Sequence, residues 1–415
     1  MTTQNKNAPT LRFPEFDDDW ASNNLRNLSI NGFSNGVFND PRKVGKGYKL
    51  INVKDMYVGD SIDINTLTLV NIEEKEFKKN KVEFGDIFFT RSSLVKEGIA
   101  HSNVNLSYAN DITFDGHIIR MRPDTKEISP KFLAYLLKTS TARKQLVAGG
   151  KTTTMTTIGQ EEVGKVGVSF PSLPEQQKIA AFLTAVDEKI QQLTKKKDLL
   201  EQYKKGVMQK IFNQEIRFKD DNENDFTDWE EKKLGEICEV AKSGGTPTST
   251  KSEYYDGDIP FLAISDITTQ GKYLRYTSKN ISKLGLENSS SWIIPMNTII
   301  YSMYASVGFV SISKIPLATS QAVLNLILKK EINVEFIYYS LVQFQSRTTK
   351  FVMTGTQGNL NAQTVRGFEI KLPCITEQTK IADFLSAIDD KINLVNQQLE
   401  KTKEYKKGLL QKMFI

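Results

Sequence analysis

Residues 171–212 read PSLPEQQKIAAFLTAVDEKIQQLTKKKDLLEQYKKGVMQKIF, and the pattern returns at 373–414 as PCITEQTKIADFLSAIDDKINLVNQQLEKTKEYKKGLLQKMF. The two copies align without a gap, and close to half of their positions are identical. A self-match of this length is an internal repeat, and it restricts the chain to folds built from two like halves. Within each copy the apolar residues step by fours and threes: Ile179, Leu183, Val186, Ile190 and Leu193, then Ile381, Leu385, Ile388, Ile392 and Val395. That is a heptad seam, which predicts a long helix buried against another helix. Glu175 and Glu377 fall in the first turn, where the helix dipole favours acids, and Lys204, Lys205 and Lys210 crowd the far end of the first copy. About 36 helical residues would span ~54 Å. Matched length and register favour pairing of the copies over separate packing of each on its own domain.

The repeat extends beyond the helices. LRFPEFDDDW opens the chain, and IRFKDDNENDFTDW follows the first long helix; each runs Arg-Phe, acids, then Trp20 or Trp229. The chain therefore parses as a first domain at 1–170, a long helix at 171–212 and a polar linker at 213–228. A second domain at 229–372 and a second helix at 373–415 complete it. Short runs such as GDIFFT, HIIRM, TIIYSM and AVLNLIL, separated by Gly, Asn and Ser clusters, predict strands joined by turns. PKFLAYLL and VEFIYYSL predict short helices. The class is α+β, with each domain mainly antiparallel β.

Composition removes several classes of function. Of 415 residues, 39% are hydrophobic and 25% charged, the profile of an ordinary globular protein. No run of about 18 apolar residues is present and the polar start, MTTQNKNAPT, lacks a signal core, so the expected compartment is the cytoplasm. Cys238, Cys374, His101 and His117 are too few and too scattered for a metal cluster, and no metal is expected. A phosphate-binding loop fails because Gln145 stands where its first glycine belongs, five residues before Gly150-Lys151-Thr152. The nearest approach to an adenine methyltransferase motif, Asn39-Asp40-Pro41-Arg42, lacks the second proline and the aromatic. No catalytic residue is expected. A net charge of +6 is a mild bias towards polyanions.

What remains is polar, loop-borne and recurrent in both halves. The early loops carry Ser34 and Asn35, and Ser243 and Thr246. After a strand come Arg91, Ser92 and Ser93, matched by Ser302, Tyr304 and Ser306. His117 is set against Gln321, and Lys151 and Thr153 against Gln357 and Asn359. These residue types reach base edges and phosphates. A single Ser/Thr/Gly loop is usually a solvated turn; recurrence at matching places is what favours a DNA-binding role.

The P-x-x-x-E-Q-x-K-I-A-x-F-L core at 171–183 and 373–385 resembles the specificity subunits of type I restriction–modification systems, and so does Y-K-K-G-x-x-Q-K-x-F at 203–212 and 405–414. Arg12–Phe16, R-F-P-E-F, is also similar to that family, and Arg217-Phe218 keeps part of it. The resemblance implies two target-recognition domains, each reading half of a split site in double-stranded DNA, separated by an antiparallel helix pair. It also implies docking of two methyltransferase subunits and, through them, motor–nuclease subunits. S-adenosylmethionine, ATP and Mg would serve those partners, with no cofactor in this chain. The alternative from another class is a two-domain protein-binding scaffold without DNA specificity.

Overall fold

The computed structural model describes residues 8–38, 41–304, 306–353 and 360–415. Gln357 and Asn359 lie outside the described residues, as do Asn39 and Asp40. Two compact units divide the chain: Met1–Thr194 with Gln397–Ile415, and Lys195–Asn396. The class is mixed α and β, with one long helix at Leu173–Phe212 and another at Ile375–Lys412. Each unit thus holds the head of one long helix and the tail of the other.

In the first unit a four-stranded antiparallel sheet runs in the order Ser29–Asn35, Ile118–Pro123, Ile87–Thr90, Ser102–Val104. Its central strands are buried on both faces because successive side chains point to opposite sides. Ile87 and Phe89 join the core that includes the long helices, while Phe88 joins a second core with Ile51, Phe114 and Ile118. A smaller sheet, Thr68–Val70, Val44–Ile51, Ile112–Phe114, closes that second core, and its inner pair is parallel. Helix Pro130–Leu136 starts with proline at its first turn, and Thr139 then caps Ser140–Ala148 by accepting from Ala142 N.

The second unit repeats the plan. Cys238–Ser243, Val323–Leu328, Ile299–Ser302, Val310–Ser313 and Tyr273–Leu274 form a five-stranded sheet, and a four-stranded sheet surrounds Tyr255–Phe261. Here, where the first domain has the pair Pro130–Leu136 and Ser140–Ala148, one helix runs unbroken over Val334–Met353, longer than the short helix expected from VEFIYYSL. Pairing register gives the true equivalence of the halves. Ile87 faces Met121 and Ile299 faces Leu326, while Arg91 N donates to His117 O and Met303 N to Ala322 O. His117 therefore corresponds to Ala322, and Gln321 to Gly116; the expected match of His117 with Gln321 is off by one residue.

The helix motifs are explained by what they hold. Arg12 donates to both carboxylate oxygens of buried Glu175, at 2.8 and 2.7 Å, and Arg217 does the same to Glu377, at 3.3 and 2.8 Å. Trp229 Nε1 adds a donor to Glu377 at 3.0 Å. The next residue ties down the start of a helix within the domain, Pro130–Leu136 in the first and Val334–Met353 in the second. Gln176 Oε1 accepts from Ser129 N and Gln378 Oε1 from Asn333 N, each at 2.8 Å. Phe13 meets Phe182 edge-on, and Phe218 meets Phe384.

Further along, each unit contains a Tyr–Asp–Lys cluster, its carboxylate buried in the first unit and partly buried in the second. In the first, Tyr135 OH donates to Asp187 at 2.7 Å, and Lys406 from the tail of the other helix pairs with the same carboxylate. In the second, Tyr339 OH donates to Asp389 at 2.6 Å and Lys204 pairs with it at 2.5 Å. Burial pushes both tyrosine hydroxyls well above their usual range, so they remain donors. In the second unit Lys197 also donates to Asn396, so residue numbers rise on one helix as they fall on the other: the segments are antiparallel. The seam is not buried by helix against helix alone, as the heptads predict. Ile179, Leu183 and Val186 share a core with Trp20, Phe132, Leu409 and Phe414, and Ile381, Leu385 and Ile388 share one with Trp229, Phe336, Met208 and Ile211. Ile190 and Ile392 are partly buried against these cores, and Leu193 and Val395 are buried.

Candidate nucleic-acid interface

The first domain gathers four of its expected residues around one concavity of ≈ 470 Å³, lined by Arg91, Ser92, His117 and Lys151 together with Met155, Thr157 and Glu162. The backbone explains the convergence. Ser92–Ser93 pairs with Thr156–Thr157, which pairs with Lys151–Thr152, making a three-stranded ribbon. Arg91 sits at its root, donating its N–H to His117 O and accepting from Ile158 N. Two chain segments over fifty residues apart are thereby locked beside Arg91 and His117.

The His117 turn is itself held firmly. Asp115 Oδ1 accepts from His117 N at 2.7 Å and lies 2.9 Å from Nδ1, which fixes the orientation of a largely exposed ring. Gly36 must be glycine: a Cβ there would lie 1.9 Å from Phe114 O, and Gly244 meets Thr319 O equally closely in the second unit. Lys151 is highly exposed, with Glu162 its nearest acid at 3.9 Å. The concavity thus presents one guanidinium, one ammonium, hydroxyls and an imidazole, a set suited to phosphates and base edges. Among the described residues no His, Cys, Asp or Glu cluster could hold a metal.

Other expected residues do different work. Asn35 is consumed within the fold: its Nδ2 donates to Gly116 O and Ile118 O, and its Oδ1 accepts from Gln160 at 2.6 Å. Ser34 Oγ is buried. Ser302 is wholly buried in its strand and cannot touch a ligand; the run Ile299–Ser302 is covered on both faces, so alternation supplies no solvent side. Ser243 is half-buried, with its carbonyl accepting from Trp292 Nε1. Thr246 and Gln321 are exposed and bonded to each other at 2.7 Å, while Tyr304 and Ser306 stand on the exposed hairpin after Ser302. Thr153 is exposed in the ribbon's turn but does not line the concavity. Sequence reasoning missed Arg143 and Gln160, which brace these loops from neighbouring helices; nothing local to them signals it.

The comparisons with known proteins agree on one family. The model of the type I restriction modification DNA specificity domain matches residues 34–202 and again 227–404. The chain belongs to that family. It is 24% identical over 416 residues to a putative type I restriction enzyme MjaX specificity subunit of Methanocaldococcus jannaschii, covering 98% of this chain and 95% of that protein. It is 33% identical over 194 residues to the MjaIX specificity subunit of the same organism, a match spanning 44% of that protein's length. The fold is similar to the crystal structure of a type I restriction–modification S subunit from M. genitalium, with a TM-score of 0.60, 17% identity, and coverage of 98% and 99% of the two chains. No helix among the described residues is long and apolar enough to cross a membrane.

Proposed function

We propose that this chain is the DNA-reading subunit of a type I restriction–modification complex. The observation that carries the reading is that the specificity-domain model matches both halves. The first half also assembles a cationic, hydroxyl-rich concavity from separated loops. Each domain reads one half of a bipartite site. The long helices join the domains and dock two methyltransferase subunits, through which motor–nuclease subunits enter the complex in the cytoplasm. Adenine methylation with S-adenosylmethionine and cleavage with ATP and Mg belong to those partners; this chain contributes recognition and no catalytic group. Gel shifts of the full chain, with and without methyltransferase subunits, test it. Affinity for duplex DNA should fall steeply as salt rises, because each neutralised phosphate releases counterions. Salt-insensitive and sequence-blind behaviour would favour a protein-binding scaffold instead.

A further inference from the structure

The hairpin that follows Arg91 ends in two apolar side chains that nothing covers. Leu94 is 88% exposed and Val95 61%. The loop is braced despite this. The Arg143 guanidinium donates to the carbonyls of Ala100, Glu97 and Ile99 at 2.7, 2.8 and 2.7 Å. Gly98 N donates to Val95 O at 3.1 Å and Val95 N to Ser93 Oγ at 3.3 Å. A Cβ at Gly98 would lie 2.5 Å from Ser93 Oγ, so the turn is also tight. A rigid tip that keeps leucine and valine in water is built for contact, since water alone would favour polar residues there.

The tip grows directly out of the ribbon that borders the cationic concavity, with Arg91, Ser92 and Ser93 immediately before it. A β-ribbon fits the DNA major groove, where base edges offer donors, acceptors and one apolar group, the 5-methyl of thymine. Polar ribbon residues beside an apolar tip match that mixture. We infer that Leu94, supported by Val95, packs against the 5-methyl group of a thymine in the half-site read by the first domain. This rests on the DNA-reading function proposed above, and deepens it by assigning a residue and a base.

Two random-core duplex pools test it, one made with thymidine and one with deoxyuridine in its place. The full chain, with co-expressed methyltransferase subunits, selects its motif from the first pool. Loss of one buried methyl should weaken wild-type binding about fourfold when deoxyuridine replaces the contacted thymine. A Leu94→Ser/Val95→Ser variant should bind both forms alike. Equal wild-type affinity for both forms would overturn the inference, as would an undiminished penalty in the variant. A first-domain half-site lacking thymine would also overturn it. Failure of the wild type to select any motif would instead remove the DNA-reading function itself. If the double variant folds poorly, Leu94→Ala takes its place, and an undiminished penalty in it would equally overturn the inference.

Discussion

Arg91 is exposed, yet its backbone joins the His117 turn to the ribbon through two hydrogen bonds. Arg91→Ala removes only the guanidinium and leaves that junction intact. If the side chain reads a base, one position of the methylated motif should relax at a cost of about 1–3 kcal/mol. If it holds a phosphate, every sequence should weaken alike and the salt slope should drop by about one. Salt-graded binding with methylome sequencing separates the two. Glu377 poses a stability question. Its carboxylate is wholly buried, and its charge is balanced by Arg217, whose side chain is 24% exposed. Arg217→Ala should cost about 3 kcal/mol by leaving that charge unpaired, the low end for a broken buried pair because Arg217 keeps some solvent. Replacing Glu377 by Gln in the same background should recover part of the loss, read as the denaturant midpoint.

At the scale of elements, the Asp187–Lys406 and Asp389–Lys204 pairs do more than add attraction. They tie the head of one helix to the tail of the other at matching places in both units. A one-heptad slip would keep apolar residues facing each other but would leave buried Asp187 and partly buried Asp389 without their lysines. Asp187→Lys or Lys406→Asp alone should therefore destabilise the first unit by about 3 kcal/mol, and the double exchange should restore most of it. A double-mutant cycle on thermal unfolding measures the coupling, and additive losses would show that the pair does not set the register. The two long helices and the strand runs were legible in the sequence, because the 3.6 and 2.0 periods are local properties, whereas the helix expected to be short at VEFIYYSL runs over Val334–Met353. The meaning of the Arg-Phe and Glu-Gln motifs was not. Arg12 and Glu175 lie more than 160 positions apart, and no local rule pairs them. Ser302 was misread for a related reason: a serine at a strand end looks loop-borne until the second covering layer is seen. The pairing of Gln321 with His117 was off by one residue, because only the bonds Arg91 N to His117 O and Met303 N to Ala322 O, made between separate strands, fix that position.

For the whole molecule, the proposed function and the repeat together predict modular recognition. Exchanging residues 1–170 for the first domain of a relative should alter one half of the methylated motif and leave the other, as read by methylome sequencing. The donor must carry an arginine able to reach Glu175 and a backbone N–H placed for Gln176, or the graft will lose its seat on the helix. A change in both halves would count against modular reading.

The composition of the first unit also sets a clock. Its core includes Leu409, Met413 and Phe414, with Phe414 packed against Trp20 and Phe132, and Leu11 N donates to Lys412 O. Residues near the front of the first domain are thus completed by residues made about 400 positions later, since Leu11 bonds Lys412. At about 5–20 residues per second, the nascent first domain waits roughly 10–40 s for its final helical turns. During that interval Ile179, Leu183 and Val186 lack part of their covering. A stop codon after Asn396 makes the interval permanent. The truncated chain should show protease cuts confined to the first unit while the second stays resistant, and equal resistance of both would mean that the tail is dispensable to the core it enters.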